Sequence, residues 1–153
     1  MLKLKIEGLS CSIKNKEILK DITLSFQQGE MAAVLGRNGA GKTTFIRCIA
    51  NLIAHQGSIV LEEDGKKLGR SSIAYLPQLE KITSSLTTFE TILLGLTKTL
   101  SWKVSEAQLA KVSQVIRELK LDAFANTPVR SLSGGQKQLV FLAQTFLSEP
   151  RLL

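Results

Sequence analysis

The sequence predicts an α/β chain: a mostly β section first, a strand–loop–helix unit next, and a helical section last. Three observations carry this. Apolar and polar residues alternate near the N-terminus, in residues 2–6 and 22–26. A continuous apolar run, Met31-Ala32-Ala33-Val34-Leu35, leads into a glycine-rich loop and an apolar helix. From Thr87 onward the apolar period lengthens from two residues to that of a helix.

Residues 2–6 and 22–26, where Ile22, Leu24 and Phe26 alternate with Thr23 and Ser25, read as half-exposed strands. Gln28-Gly29-Glu30 is a turn. The run at 31–35 has the unbroken apolar character of a strand buried on both faces, and a helix is predicted over residues 42–53. Residues 58–61 and 73–76 read as short strands, separated by the polar, hairpin-like stretch 62–67. Thr87 with Glu90 forms a capping box ahead of a face made by Phe89, Ile92, Leu93 and Leu96. Ser105 with Gln108 repeats the device, ahead of Leu109, Val112, Val115, Ile116 and Leu119. Both stripes are read as core.

A chain of 153 residues suits one domain, or a domain with a small subdomain. Its 44% hydrophobic and 22% charged residues are ordinary for a globular protein. No apolar run reaches a membrane span's length, and Met1-Leu2-Lys3-Leu4-Lys5 alternates like a strand rather than a signal peptide. A cytosolic location, or one against a membrane through a partner, is expected. Cys11 and Cys48 stand far apart with one histidine, His55, so a zinc site is not expected and both thiols are read as small semi-buried residues. The net charge of +7 comes from scattered lysines and arginines with only 5% aromatics, which favours solvated faces over a nucleic-acid surface.

Gly36-Arg37-Asn38-Gly39-Ala40-Gly41-Lys42-Thr43 matches GxxxxGK[ST]. Backbone N–H groups can ring polyphosphate oxygens only if the chain folds back tightly, which glycine permits. The following helix points its N-terminus, about half a positive charge, at the same oxygens. Lys42 adds a full charge for the β- and γ-phosphates, and the Thr43 hydroxyl is placed to ligate Mg²⁺. Alone, the loop does not separate a kinase, a GTPase, a helicase or a transporter ATPase.

Leu132-Ser133-Gly134-Gly135-Gln136 supplies the discrimination. Part of it is a helix start, with Ser133 as N-cap and Leu139, Val140, Leu142, Ala143 and Phe146 packing behind. That leaves unexplained two adjacent glycines, which cost about 1 kcal/mol each relative to Ala inside a helix. Glycines, a hydroxyl and a helix start together make a second anion cradle. The P-loop, this signature, and Tyr75-Leu76-Pro77-Gln78 between them, in this order and spacing, resemble the ABC ATPases along essentially the whole chain.

The resemblance implies a P-loop NTPase core with an N-terminal antiparallel β subdomain and a helical subdomain, incomplete at the C-terminus. Its sections would be about 1–80 for the β subdomain and P-loop core, about 81–135 for the helical subdomain, and 136–153 for the signature helix and the start of the Walker B strand. It implies ATP and Mg²⁺ as cofactors, held by residues 36–43 and by Thr44, with Gln78 touching Mg²⁺ and the attacking water. Ser133, Gly134, Gly135 and Gln136 would close on ATP held by a second ATP-binding subunit. Transmembrane permease subunits would be partners and a substrate-binding protein an indirect one, with no nucleic acid. The chain would then lie in the cytoplasm, peripheral on the inner face of the cell membrane. Leu86-Thr87-Thr88-Phe89-Glu90, Leu93-Leu94-Gly95 and Gln138-Leu139-Val140 resemble importers of ferric siderophores, haem and cobalamin. The alternatives are a soluble ABC ATPase of DNA repair or translation, and a truncated nucleotide binder without turnover.

Two departures from the family stand out. Where adenine stacks on an aromatic ring in the family, counting back from Ile18-Leu19 reaches Ile13, which forgoes a ring–ring interaction of roughly 0.5–1.5 kcal/mol. Nucleotide discrimination is expected to be loose. The sequence given runs to Glu149-Pro150-Arg151-Leu152-Leu153 and includes neither the Mg²⁺-binding Asp nor the water-activating Glu of the family, and His55 does not replace its later histidine. The expectation is a chain of low stability by itself that does not turn over ATP.

Overall fold

The computed structural model describes residues 1–77, 83–96 and 104–153. They form two compact units, Met1–Ile73 and Ala74–Leu153.

The first unit is built on an antiparallel sheet. Strand β1, Leu2–Ile13, turns through Lys14 and Asn15 into β2, Lys16–Gln27. Both turn residues have positive φ, 49° and 61°, the backbone that matches the twist of a two-residue hairpin. The far edge of β1 pairs with β3, Gln56–Glu63, and a second tight turn at Asp64-Gly65 leads to β4, Lys66–Lys67. The sheet order is β2-β1-β3-β4. The polar stretch 62–67 is therefore a hairpin, as its composition predicts.

The register of β1 against β2 shifts between Ile6 and Leu9. Before the shift Leu4 and Ile6 are buried; after it, Leu9 and Cys11 are. One irregularity thus exchanges the inward parity within one strand. A Cβ at Gly57 of β3 would land on the backbone carbonyls of Glu7 and Gly8, so the two strands cross closely at the shift.

Helix α1, Lys42–Ile49, buries Phe45 and Cys48. It is shorter than predicted. Asn51 takes φ 52°, its N–H bonds the Cys48 carbonyl at 2.8 Å, and the Leu52 N–H bonds the Arg47 carbonyl at 2.9 Å. These two bonds are the left-handed stop that ends a helix.

Two predicted strands do not form. Residues 31–35 carry no strand, with Met31 at 99% and Leu35 at 90% exposure. An apolar run becomes a strand only beside a backbone that bonds it, and among the described residues no strand pairs with this one. Of the predicted strand 73–76, Ile73 carries an isolated bridge and residues 74–76 join no ladder, with one bond from the Ala74 N–H to the Leu152 carbonyl at 2.8 Å.

The second unit packs α2 (Thr88–Leu93), α3 (Glu106–Glu118) and α4 (Gly134–Leu147). Both predicted capping boxes are formed, at Thr87 with Glu90 and at Ser105 with Gln108. Ile92, Leu96, Val112, Ile116, Val140, Ala143 and Leu147 are among the core residues, and Phe89, Leu93, Val115 and Leu119 pack against them. Leu109 lies outside this core, exposed at the edge of its stripe. The buried face of α4 is 140, 143 and 147, so Leu139 and Phe146 are turned outward rather than packed as the sequence reading expects.

Candidate nucleotide-binding site

The glycine-rich loop, residues 36–40, is exposed and delivers the chain to α1. Gly41 is the residue before the helix, at φ 91°. A Cβ there would sit 3.0 Å from Ile18 Cγ2 and 3.1 Å from Leu19 Cδ2, so the absence of a side chain seats the loop's end on β2. The sequence reading assigns this glycine to phosphate approach alone; packing is its second use.

No side chain caps the start of α1, and its first turn carries no acidic residue. The first N–H groups, with Thr43 and Thr44 beside them, are therefore left for an external acceptor. The Lys42 ammonium donates to the carbonyls of Gly36 and Arg37, each at 2.8 Å, which holds a full positive charge inside the loop. The Ala40 N–H closes a turn onto the Arg37 carbonyl at 3.1 Å. An uncapped helix start with an ammonium and two hydroxyl-bearing residues beside it is an arrangement suited to a metal-bound polyphosphate.

Ile13 ends β1 opposite Lys16, and 46% of its surface is open. Ile18, which faces Gly41, lies two residues beyond Lys16 on β2. At about 3.3 Å per strand residue, the hairpin tip comes within reach of a group held at the loop. Gln78 lies outside the described residues; Tyr75 and Leu76 before it are half-buried.

In the second unit, Ser133 caps α4. Its hydroxyl accepts from the Gln136 N–H at 3.3 Å, and the side-chain amide oxygen Oε1 of Gln136 accepts from the Ser133 N–H at 2.8 Å. This reciprocal box was readable as S-x-x-Q but is masked by the glycines inside it. Gly134 and Gly135 are exposed, and a Cβ built on either would meet nothing within 4 Å. The unit's own packing gives these glycines no reason to be glycine. They leave bare backbone at a helix start, open to something outside the unit.

Cys11 and Cys48 are both buried and free. Burial pushes the Cys48 thiol up to about 12, with the neighbouring Cys11 adding to the shift. Cys48 therefore supplies no nucleophile.

The sequence pattern of the family described as "ABC transporter" matches residues 19–153. An uncharacterized ABC transporter ATP-binding protein of Methanocaldococcus jannaschii is 31% identical over 156 residues, spanning 98% of this chain and 61% of that protein. A manganese transport system ATP-binding protein of Listeria innocua is 32% identical over 162 residues, spanning 96% and 67%. Among solved structures, an inward-facing conformation of a transporter described as of metal-chelate ABC type superposes with a TM-score of 0.82 at 25% identity, over 97% of this chain and 58% of that one.

Proposed function

The chain belongs to the ABC transporter family, and from that premise we propose that it binds Mg-ATP through residues 36–44 as the motor portion of a membrane transporter. The observation that carries the reading is the Lys42 ammonium, held in the loop by two carbonyls at the uncapped start of α1. On binding, the ammonium turns from those neutral acceptors to the β- and γ-phosphates, while Thr43 ligates Mg²⁺. Ile13 rests against the base as an apolar surface without a ring, so ATP and GTP bind with similar affinity. Gln78 follows Tyr75-Leu76-Pro77 in the motif order and takes the Mg²⁺ and water contacts.

Ser133, Gly134, Gly135 and Gln136 close on the nucleotide of a second ATP-binding subunit. Support comes from the open space around both glycines. Permease subunits anchor the assembly at the inner membrane face, with a substrate-binding protein acting through them. Among the described residues no helix is long and apolar enough to cross a membrane. Import of an iron chelate or related metal-organic solute fits the metal-chelate and manganese relatives.

Titration calorimetry tests the assignment. Mg-ATP is expected to bind, and Lys42→Ala to weaken binding at least tenfold with the fold intact. Equal binding by that variant refutes the assignment of the loop.

A further inference from the structure

The first unit has an open surface pocket of about 420 Å³, with Asn51, Gly57, Ser58 and Arg70 exposed at its rim, that the nucleotide reading does not use. Its size falls within the range of small-molecule sites. It lies behind the C-terminal end of α1, between the turn that follows and β3. Ile59, Leu61 and Leu68 contribute an apolar floor, and Asn51, His55, Ser58 and Arg70 contribute polar groups. No carboxylate lines it. Cys48, also in the wall, keeps its proton because burial pushes its thiol up to about 12, so it adds no negative charge.

Two of the polar groups are available to a ligand. His55 Nδ1 lies 3.1 Å from the Ile53 carbonyl, which can only accept; the proton is therefore on Nδ1, and Nε2 has no partner among the described residues. Arg70 stands at the start of a short 3₁₀ turn, and among the described residues no carboxylate pairs with its guanidinium. A planar, permanently charged fork in the wall of a pocket that also holds apolar side chains matches one ligand chemistry well. We propose that this cavity binds a small organic carboxylate, its hydrocarbon body on Ile59, Leu61 and Leu68 and its carboxylate on Arg70, with Asn51 and Ser58 as neutral donors.

His55 is the only histidine in the sequence, so its imidazole signals in an NMR spectrum report on this cavity alone. The probe is sodium hexanoate, titrated into the full chain, with hexanol and inorganic phosphate as parallel arms. The expected result is a saturable shift of the His55 signals with hexanoate. With hexanol the response is at least tenfold weaker, and in Arg70→Gln the hexanoate response falls by a similar factor while the amide spectrum stays unchanged. Lys42→Ala, which disables the phosphate loop, leaves the hexanoate response intact. The proposal is overturned if the His55 signals stay still, if Arg70→Gln responds like the parent, if hexanol matches hexanoate, or if phosphate reproduces the shift and Lys42→Ala removes it.

Discussion

Glycines at two helix starts behave oppositely. Gly41 sits at φ 91° against Ile18 and Leu19, so Gly41→Ala forces a left-handed alanine into contact with β2. A loss of about 1–3 kcal/mol is expected in chemical denaturation. Gly135 has neither constraint, and Gly135→Ala is expected to leave stability unchanged or raise it by up to about 1 kcal/mol. Its cost should appear only in nucleotide-driven pairing of subunits, measured by sedimentation. A stability loss in that variant would mean the glycine serves the fold. Both motifs were legible as residue patterns because loop chemistry is written in consecutive residues. The contact of Gly41 with β2 was not legible, since it joins residues more than twenty positions apart and leaves no local trace.

Caps and stops govern the elements. The side chain of Glu90 accepts from the Thr87 N–H at 2.8 Å and from its hydroxyl at 2.9 Å, and these two bonds, the backbone one first, hold its carboxyl below the usual carboxylate range. A carboxyl with a lowered folded-state value contributes stability above its unfolded value, near pH 4.3, and loses it as pH falls through the folded value. Glu90→Gln is therefore expected to lower the melting temperature at pH 7 and to differ little from the parent near pH 2. A gap that stays constant across that range would contradict the linkage. The capping boxes were readable because three-residue spacing specifies them. The end of α1 was missed because its stop is an asparagine, Asn51, in the conformation usually left to glycine. The hairpin turn Lys14-Asn15 escaped for a related reason, as it adopts positive φ without any glycine.

For the molecule as a whole, the largest departure from expectation is the run at 31–35, apolar enough for an interior yet exposed. Whether an apolar run becomes a strand depends on which backbones flank it, information that hydropathy does not hold. Exposed in this way, it is expected to promote self-association. Replacing Leu35 with Lys is expected to leave the melting temperature within about 1 °C, since a 90% exposed side chain loses little packing, while light scattering at high concentration falls. A large drop in melting temperature would place Leu35 in an interior after all. The register shift of β1 has a different reach. Because its inward side changes between Ile6 and Leu9, the strand obeys two opposite rules of replacement along its length. A saturation screen for folded variants should show tolerance at odd positions, Lys3 and Lys5, before the shift, and at even ones, Ser10 and Ser12, after it. The boundary between those two rhythms would locate the crossing with Gly57 by genetics alone.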